Sequence, residues 1–267
     1  MSSVTTVSSH KLPPRNNLLA NPSSMSTAAI FLCAGRGTRM KAAADDKILA
    51  KVAGKPVFLH SVEAFVESGL APTFVFVFRS VAQRRQIDRA VRALKLSLTQ
   101  RIIFVRGGVE RQESVRHALE ALPPSTEWVL IHDAARPMVR APLIRRFASL
   151  AKRHGSAVFA HRVVDTIKEF PDPAEPDGPV AVRTLERSRL WATETPQIFR
   201  RSEILEAYTS LPASRRVTDD AQAMEFAGKP VFFYENPEPN PKLTTPRDLA
   251  YAEFLFAERS AKPRKRK

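Results

Sequence analysis

Short apolar runs alternate along the chain with longer segments of helical periodicity. Ala28 to Cys33 is apolar throughout and ends at a glycine-containing loop, which predicts a buried strand. Between residues 57 and 68, Val57, Phe58, Val62, Phe65 and Val66 recur at helical spacing. Thr73 to Phe78 is β-branched and aromatic, a second strand, and a basic helix follows at about 80 to 94. Arg101 to Val105 reads as a third strand, broken by Gly107-Gly108 before a helix at 111 to 121. Trp128 to Ile131 reads as a fourth strand stopped by His132-Asp133, then a helix at 141 to 153 and a fifth strand from Ser156 to Ala160.

Uniformly apolar strands alternating with helices predict an α/β fold: a mostly parallel sheet with helices on both faces. Such sheets bind ligands outside the carboxyl ends of their strands. The loops at 34 to 47, 106 to 114 and 132 to 137 are therefore the candidate site.

The alternation fails at 161 to 190. Val163, Val164, Thr166 and Ile167 precede a Pro/Asp/Glu-rich turn at 171 to 179, and Val180, Val182 and Leu185 follow it. This predicts two strands joined by a long acidic turn, a protruding β-arm. An arm without its own core needs something to pack on, and a second copy of the chain answers that need. Short helices at 201 to 209 and 219 to 227 follow, then a strand from Val231 to Tyr234. A last helix is expected to start after Thr245-Pro246 and run to about 258.

Composition trims the range of functions. The chain has 267 residues, enough for a core without disulfide staples, and its lone Cys33 excludes both an intrachain disulfide and a cysteine metal cluster. No apolar run is long enough to predict a membrane span. The net charge of +15 suggests nucleic acid at first. Seven of those charges sit at the ends, two in residues 1 to 26 and five in the closing AKPRKRK, neither of which contains an acid. The remainder reads as attraction for phosphate-bearing molecules, and neither zinc-finger spacing nor an aromatic-basic stacking signature is present. Residues 1 to 26 read as a disordered extension without the apolar core of a secretory signal, with Met25 close to where the fold-like pattern begins. The domain spans 27 to 258 and a basic tail fills 259 to 267. The expected location is the cytoplasm, with an organelle left open by the extension.

Only nine glycines occur, and four mark two strand-end loops: Gly35, Gly37, Gly107 and Gly108. They suggest backbone that turns tightly or approaches a ligand closely. Amides around Ala34, Gly35 and Gly37 can cradle phosphate, with Arg39 and Lys47 to neutralise it. The loop is neither a Walker A sequence nor a dinucleotide fingerprint, and a plain turn is the competing reading. Among the remaining polar residues, Asp133 could instead cap nearby amides, Ser114 could be an ordinary first-turn residue, and Lys242 could be an exposed turn lysine. Arg136 reads as a buried ion-pair partner ordering its loop, His132 as structural, Phe58 and Met40 as core, and Cys33 as inert.

Together the loops resemble the cytidylyltransferase family of the non-mevalonate isoprenoid pathway. The resemblance rests on AAIFLCAGRGTRM at 28 to 40, GGVERQESVRHAL at 107 to 119, VLIHDAARPMV at 129 to 139, LWATETPQIF at 190 to 199, VTDDAQAMEFAG at 217 to 228 and KLTTPRDLAYAEFL at 242 to 255. It implies a Rossmann-like nucleotidyltransferase, a homodimer with an interlocking arm, and transfer of CMP from CTP to 2-C-methyl-D-erythritol 4-phosphate with Mg²⁺. It further implies that Arg39, Lys47 and Lys242 act on the phosphates and that Ala34, Gly35, Gly37, Gly108, Ser114 and Asp133 hold the nucleotide. Asp133 would also meet the metal. Asp165, Thr166, Arg187, Thr195 and Lys242 would receive the acceptor, with Asp165 and Thr166 reaching in from the neighbouring subunit. A CDP-ribitol-forming enzyme shares most of these motifs, and an impaired CTP-binding homologue remains a second alternative. Where the family has Pro-Lys-Gln, this chain has Asp46-Lys47-Ile48, which places a carboxylate beside the phosphate site. Cys33 replaces an alanine and Val109 a polar residue.

Overall fold

The computed structural model describes residues 26–35, 46–94, 100–171, 181–212 and 214–261. The first half runs β1 (Thr27–Leu32), a short hairpin of β2 (Lys51–Val52) and β3 (Lys55–Pro56), α1 (Val57–Ser68), β4 (Thr73–Phe78), α2 (Val81–Ala93), β5 (Arg101–Arg106), α3 (Arg111–Glu120), β6 (Trp128–Asp133), α4 (Ala141–His154) and β7 (Ser156–Arg162). The second half adds β8 (Lys168–Glu169), β9 (Arg183–Thr184), β10 (Trp191–Arg200), α5 (Arg201–Ser210), α6 (Asp220–Phe226), β11 (Phe233–Glu235) and α7 (Pro246–Ala261).

Seven strands form one sheet in the order β11-β7-β10-β6-β1-β4-β5. β6, β1, β4 and β5 pair in parallel, as do β11 and β7, while β10 runs antiparallel between β6 and β7. The predicted mostly parallel α/β sheet is therefore the observed one.

Strands that read as featureless apolar runs still sort their side chains by size. Phe31, Phe74 and Phe76 pack with Phe58 and Phe65 of α1, Ile87 of α2 and Phe147 of α4. The alternate positions Ile30, Val75 and Val77 pack with Val115 and Leu119 of α3, Ile204 of α5 and Met224 of α6. The Phe31 ring lies 5.0 Å from Phe65, 5.4 Å from Phe74 and 5.1 Å from Phe76 between centroids. Period-two alternation thus survives in a doubly buried sheet, as a difference in volume rather than polarity. Gly69 and Gly155 end α1 and α4 at φ of 67° and 90°, where a side chain would be strained.

Several expectations need correction. His132 and Asp133 do not stop β6: they extend it, paired with Phe31 and Leu32 of β1. The expected strand from Val231 is shorter and begins at Phe233, and the last helix runs on to Ala261. The arm pairs only Lys168–Glu169 with Arg183–Thr184, so Val163, Val164 and Thr166 lie outside its ladder. β10 was not foreseen as a strand, since its polar stretch and Pro196 argue against a central position. The register shift between Thr193 and Gln197 accommodates that stretch. Expectations for the N-terminal extension, for Gly37, Arg39 and Met40, for most of the acidic turn and for the basic tail lie outside the described residues. Among the described residues, no helix is long and apolar enough to cross a membrane.

Candidate active site

The ends of the four contiguous parallel strands open into a cleft of about 510 Å³. That volume suits a nucleotide-sized ligand. Leu32 to Gly35 after β1, Val77 and Arg79 at β4, Arg106 to Gly108 after β5, the first turn of α3 and Asp133 of β6 line it, with Lys47, Ile48, Ala135 and Lys242 closing the rim. All three predicted loops meet here. Lys47, Arg79, Arg106, Arg111 and Lys242 face Glu110, Glu113 and Asp133, so cations outnumber carboxylates among the described lining residues.

The wall after β5 is shaped by what its glycines allow. A Cβ on Gly107 would lie 2.8 Å from the Ala34 Cβ and 2.9 Å from the Ser114 Oγ, and one on Gly108 would run into Glu113. The glycine pair thus lets the first turn of α3 close onto the loop and does not serve a left-handed turn. The Ser114 hydroxyl donates to the Glu110 carbonyl and accepts from the Gly108 N–H, both at 3.1 Å. Glu113 Oε2 accepts from the Val109 N–H at 2.6 Å. Ser114 therefore organises the loop, and its hydroxyl is engaged by that loop's own backbone. A Cβ on Gly35 would meet nothing within 4 Å among the described residues, so no packing among them demands glycine there.

Asp133 sits at the centre of a cationic group. Lys242 Nζ lies 2.8 Å from Oδ2, with Arg111 Nε at 3.7 Å and Arg136 Nε at 3.8 Å from the carboxylate. Burial alone would raise its pKa, but Arg111, Lys242 and Arg136 outweigh that cost and hold it well below the usual carboxylate range. Arg111 also forms a two-pronged pair with the fully buried Asp220, at 2.9 and 2.7 Å, and Tyr208 Oη donates to the same carboxylate at 2.5 Å. Burial works against the Arg111 charge, yet Asp220 and Asp133 keep it firmly protonated.

Behind Asp133, His132 is fully buried and neutral. Burial pushes its pKa down to about 4, against a partial upward pull from Asp133. Nε2 donates to the Arg136 carbonyl at 3.0 Å, which leaves Nδ1 bare to accept the Thr195 hydroxyl at 3.2 Å. Thr195 Oγ1 accepts the Asp133 N–H at 2.9 Å. Arg136 donates to the Asn240 carbonyl at 2.7 Å, Asn240 Nδ2 to the Thr195 carbonyl at 2.9 Å, and the Leu243 N–H to the Ala135 carbonyl at 2.8 Å. These bonds pin the segment that carries Lys242, so Lys242 is a cleft residue and not a free turn lysine. Arg136 and His132 take the structural parts expected of them.

Lys47 stands between two inward-facing neighbours. Ile48 is buried in the main core, and Asp46 is buried with Oδ2 2.6 Å from Gln83 Nε2 and 3.0 Å from Arg79 Nη2. Burial raises the Asp46 pKa, and Arg79 and Gln83 draw it part of the way back. The repulsion expected from this carboxylate is thus offset on the spot. Cys33 is buried, and its thiol pKa is pushed well up by burial and then by Asp46, which matches an inert cysteine.

Of the residues singled out from the sequence, Ala34, Gly35, Lys47, Gly108, Ser114, Asp133 and Lys242 line the cleft. Thr195 does not: its hydroxyl is spent behind Asp133. Asp165, Thr166 and Arg187 are exposed on the arm and line no part of their own chain's cleft; Arg187 Nη1 donates to the Val164 carbonyl at 2.6 Å. Gly37 and Arg39 are outside the described residues. Sequence reasoning passed over Arg79, Arg106 and Arg111. Arg111 lies within the quoted GGVERQESV segment, but in a chain so rich in arginine nothing marked it out. Among the described residues, no group of three or more His, Cys, Asp or Glu side chains is placed to hold a metal.

A mostly parallel sheet with a cation-rich cleft at its strand ends, centred on one ionised aspartate, has the architecture of a Rossmann-like α/β protein that binds phosphate-bearing ligands. Residues 27–258 match the profile of IspD, 2-C-methyl-D-erythritol 4-phosphate cytidylyltransferase, and the chain belongs to that family. It is 38% identical over 238 residues to the 2-C-methyl-D-erythritol 4-phosphate cytidylyltransferase of Geobacillus thermodenitrificans, covering 89% of this chain and 100% of that one. The crystal structure of the enzyme of that name from Thermus thermophilus superposes with a TM-score of 0.66 at 28% identity, covering 86% of this chain and 98% of the other. At the level of fold alone, 4-diphosphocytidyl-2C-methyl-D-erythritol synthase from Anaerococcus prevotii gives a TM-score of 0.72 at 24% identity, over 87% of this chain and 99% of that one.

Proposed function

We propose that this chain transfers CMP from CTP to 2-C-methyl-D-erythritol 4-phosphate, forming 4-diphosphocytidyl-2-C-methyl-D-erythritol and releasing pyrophosphate. The observation that carries the reading is the cleft itself, in which Lys47 and Lys242 line a common space around Asp133. An acceptor phosphate oxygen forms the new bond to the α-phosphorus as the bond to pyrophosphate breaks. That oxygen is already anionic near neutral pH, so no general base is required. Catalysis then consists of positioning and charge neutralisation. Lys47 and Lys242, with Arg39, would balance the phosphates, while the loop ordered by Ser114 and Glu113 presents the Gly108 region to the nucleoside.

Magnesium binds through one or two carboxylates together with substrate phosphates and water, and Asp133 offers one ionised carboxylate in the cleft, its Oδ1 approached by Arg111 only to 3.7 Å. Asp133 would hold that ion, which when bound offsets charge on the triphosphate. The buried partners of Asp46 weigh against the impaired-homologue reading, because Lys47 keeps its place beside the cleft. The arm supports a homodimer: Val164 is 77% exposed and Phe170 46%, an apolar surface left uncovered among the described residues of one chain. Asp165, Thr166 and Arg187 then complete a neighbour's acceptor site. A cytoplasmic site of action belongs to the same reading.

The test is pyrophosphate release from CTP and Mg²⁺ with each acceptor. Turnover with methylerythritol phosphate is expected. Turnover with ribitol 5-phosphate alone would replace it with the CDP-ribitol reading, and CTP binding without product would indicate the impaired homologue.

A further inference from the structure

Asp46 is costly where it stands. It is a buried carboxylate beside a cleft built for anions, and burial raises its pKa. Among the described residues, however, each side-chain contact it makes ties together parts of the phosphate-side wall. Oδ1 accepts the Ile48 N–H at 3.3 Å, bracketing Lys47 from both sides. Oδ2 accepts from Gln83 Nε2 at 2.6 Å and pairs with Arg79 Nη2 at 3.0 Å.

The two partners are themselves fixed. Gln83, in the first turn of α2, also donates to the Cys33 carbonyl at 2.9 Å and accepts the Arg79 N–H at 2.8 Å. Arg79 Nη1 reaches the Gly35 carbonyl at 3.3 Å. One carboxylate thus joins the residue before Lys47 to the start of the glycine loop, the end of β4 and α2. With Ile48 sunk in the core on the other side, the backbone at Lys47 is held at both neighbours and its side chain is left at the rim of the cleft.

We propose that Asp46, held by Arg79 and Gln83, is the positioning residue for Lys47, and that this ion-paired anchor fixes the lysine and the start of the glycine loop in one register. The proposal rests on the reading that Lys47 works on the triphosphate. Misplacing such a group by about 1 Å is enough to cost about 100-fold in rate.

The test is a kinetic cycle of Asp46→Ala, Lys47→Ala and the double variant, with competitive acylation of lysines read by peptide mass spectrometry. Asp46→Ala alone should lower kcat by about 10- to 100-fold, while in the Lys47→Ala background it should add less than about threefold. Asp46→Asn keeps an acceptor oxygen but loses the ion pair, and should fall between the wild type and Asp46→Ala. If the alanine variant fails to fold, the asparagine variant carries the same cycle. The acylation rate of Lys47 should change by more than about threefold relative to exposed Lys152, as its anchor is lost. Full additivity in the cycle would overturn the proposal. So would an unchanged Lys47 acylation rate, which decides the matter even without turnover. Absence of turnover in the wild type with every acceptor would instead sink the functional reading alone.

Discussion

Asp133 and His132 are neighbours that solve opposite electrostatic problems. Asp133 keeps its charge although buried, because Lys242, Arg111 and Arg136 surround it. His132 gives up its charge, because burial costs the imidazolium more than the upward pull of Asp133 returns. The sign of the resulting pH dependence follows directly. An unfolded histidine binds its proton near pH 6.5, whereas the folded one does so only near 4. Its contribution is therefore complete above pH 6.5, declines as pH falls, and levels off below about 4. The loss over that window is about 3 kcal/mol. Urea unfolding at pH 7.5 and 4.5 should show a steeper acid-side loss for the wild type than for His132→Gln, and parallel slopes would refute the assignment. Lys47, proposed above to act on the phosphates, presents the reverse case. Lys47→Ala should lower kcat by about 100-fold or more with an almost unchanged urea midpoint. Unchanged turnover would remove Lys47 from the catalytic set.

At the scale of elements, the site depends on α3 and α6 being stapled together. Arg111 from the first turn of α3 meets Asp220 from the first turn of α6, across 109 residues of sequence. Removing the cation strands a fully buried carboxylate, so Arg111→Ala should cost about 3–5 kcal/mol. Removing both partners should cost less than removing the arginine alone. Urea unfolding of the two singles and the double checks this, and a double as costly as Arg111→Ala or worse would contradict it. The same pair shows why legibility differs among elements. β1, β4 and α1 could be read because each is patterned by its own burial: Phe31, Phe74 and Phe65 advertise a core locally. β10 could not. Its Glu194 is buried against Asn236, Asn240 and His161, and its Gln197 against the Ala221 N–H and Asp219. Those partners arrive from distant segments, so a central strand looks like a polar loop until they do. The site divides the same way. Asp133 and Lys242 stand in segments specific enough to be picked out, whereas Lys47 had to be read from a family motif whose flanking residues are both changed here. Arg79 and Arg111 matter through partners that no local spacing reveals, and so does the Thr195 hydroxyl, through its bonds to His132 and the Asp133 N–H.

For the whole molecule, the surplus of positive charge reads differently once the cleft is known, since five cations among the described residues line it. The arm poses the remaining large-scale question. Its ladder is two residues long on each side, and Val164, Phe170, Val182 and Trp191 are exposed on or beside it. So small a hairpin is marginal by itself. A second subunit would cover that surface and bring Arg187 to a cleft that its own chain does not let it line. A mixed-subunit experiment separates this arrangement from an arm that serves its own chain. Combine a Lys47→Ala chain with an Arg187→Ala chain, allow subunits to exchange, and confirm mixed dimers by mass spectrometry. If the arm acts across the interface, each mixed dimer has one site with both defects and one with neither. Random exchange makes half the dimers mixed, so activity should recover to about a quarter of the wild type. If the arm acts within its own chain, every site in the mixed dimer keeps one defect and activity stays at the level of the parents. Recovery therefore requires both the dimer and the crossing. Mixed dimers without recovery would confine Arg187 to its own subunit.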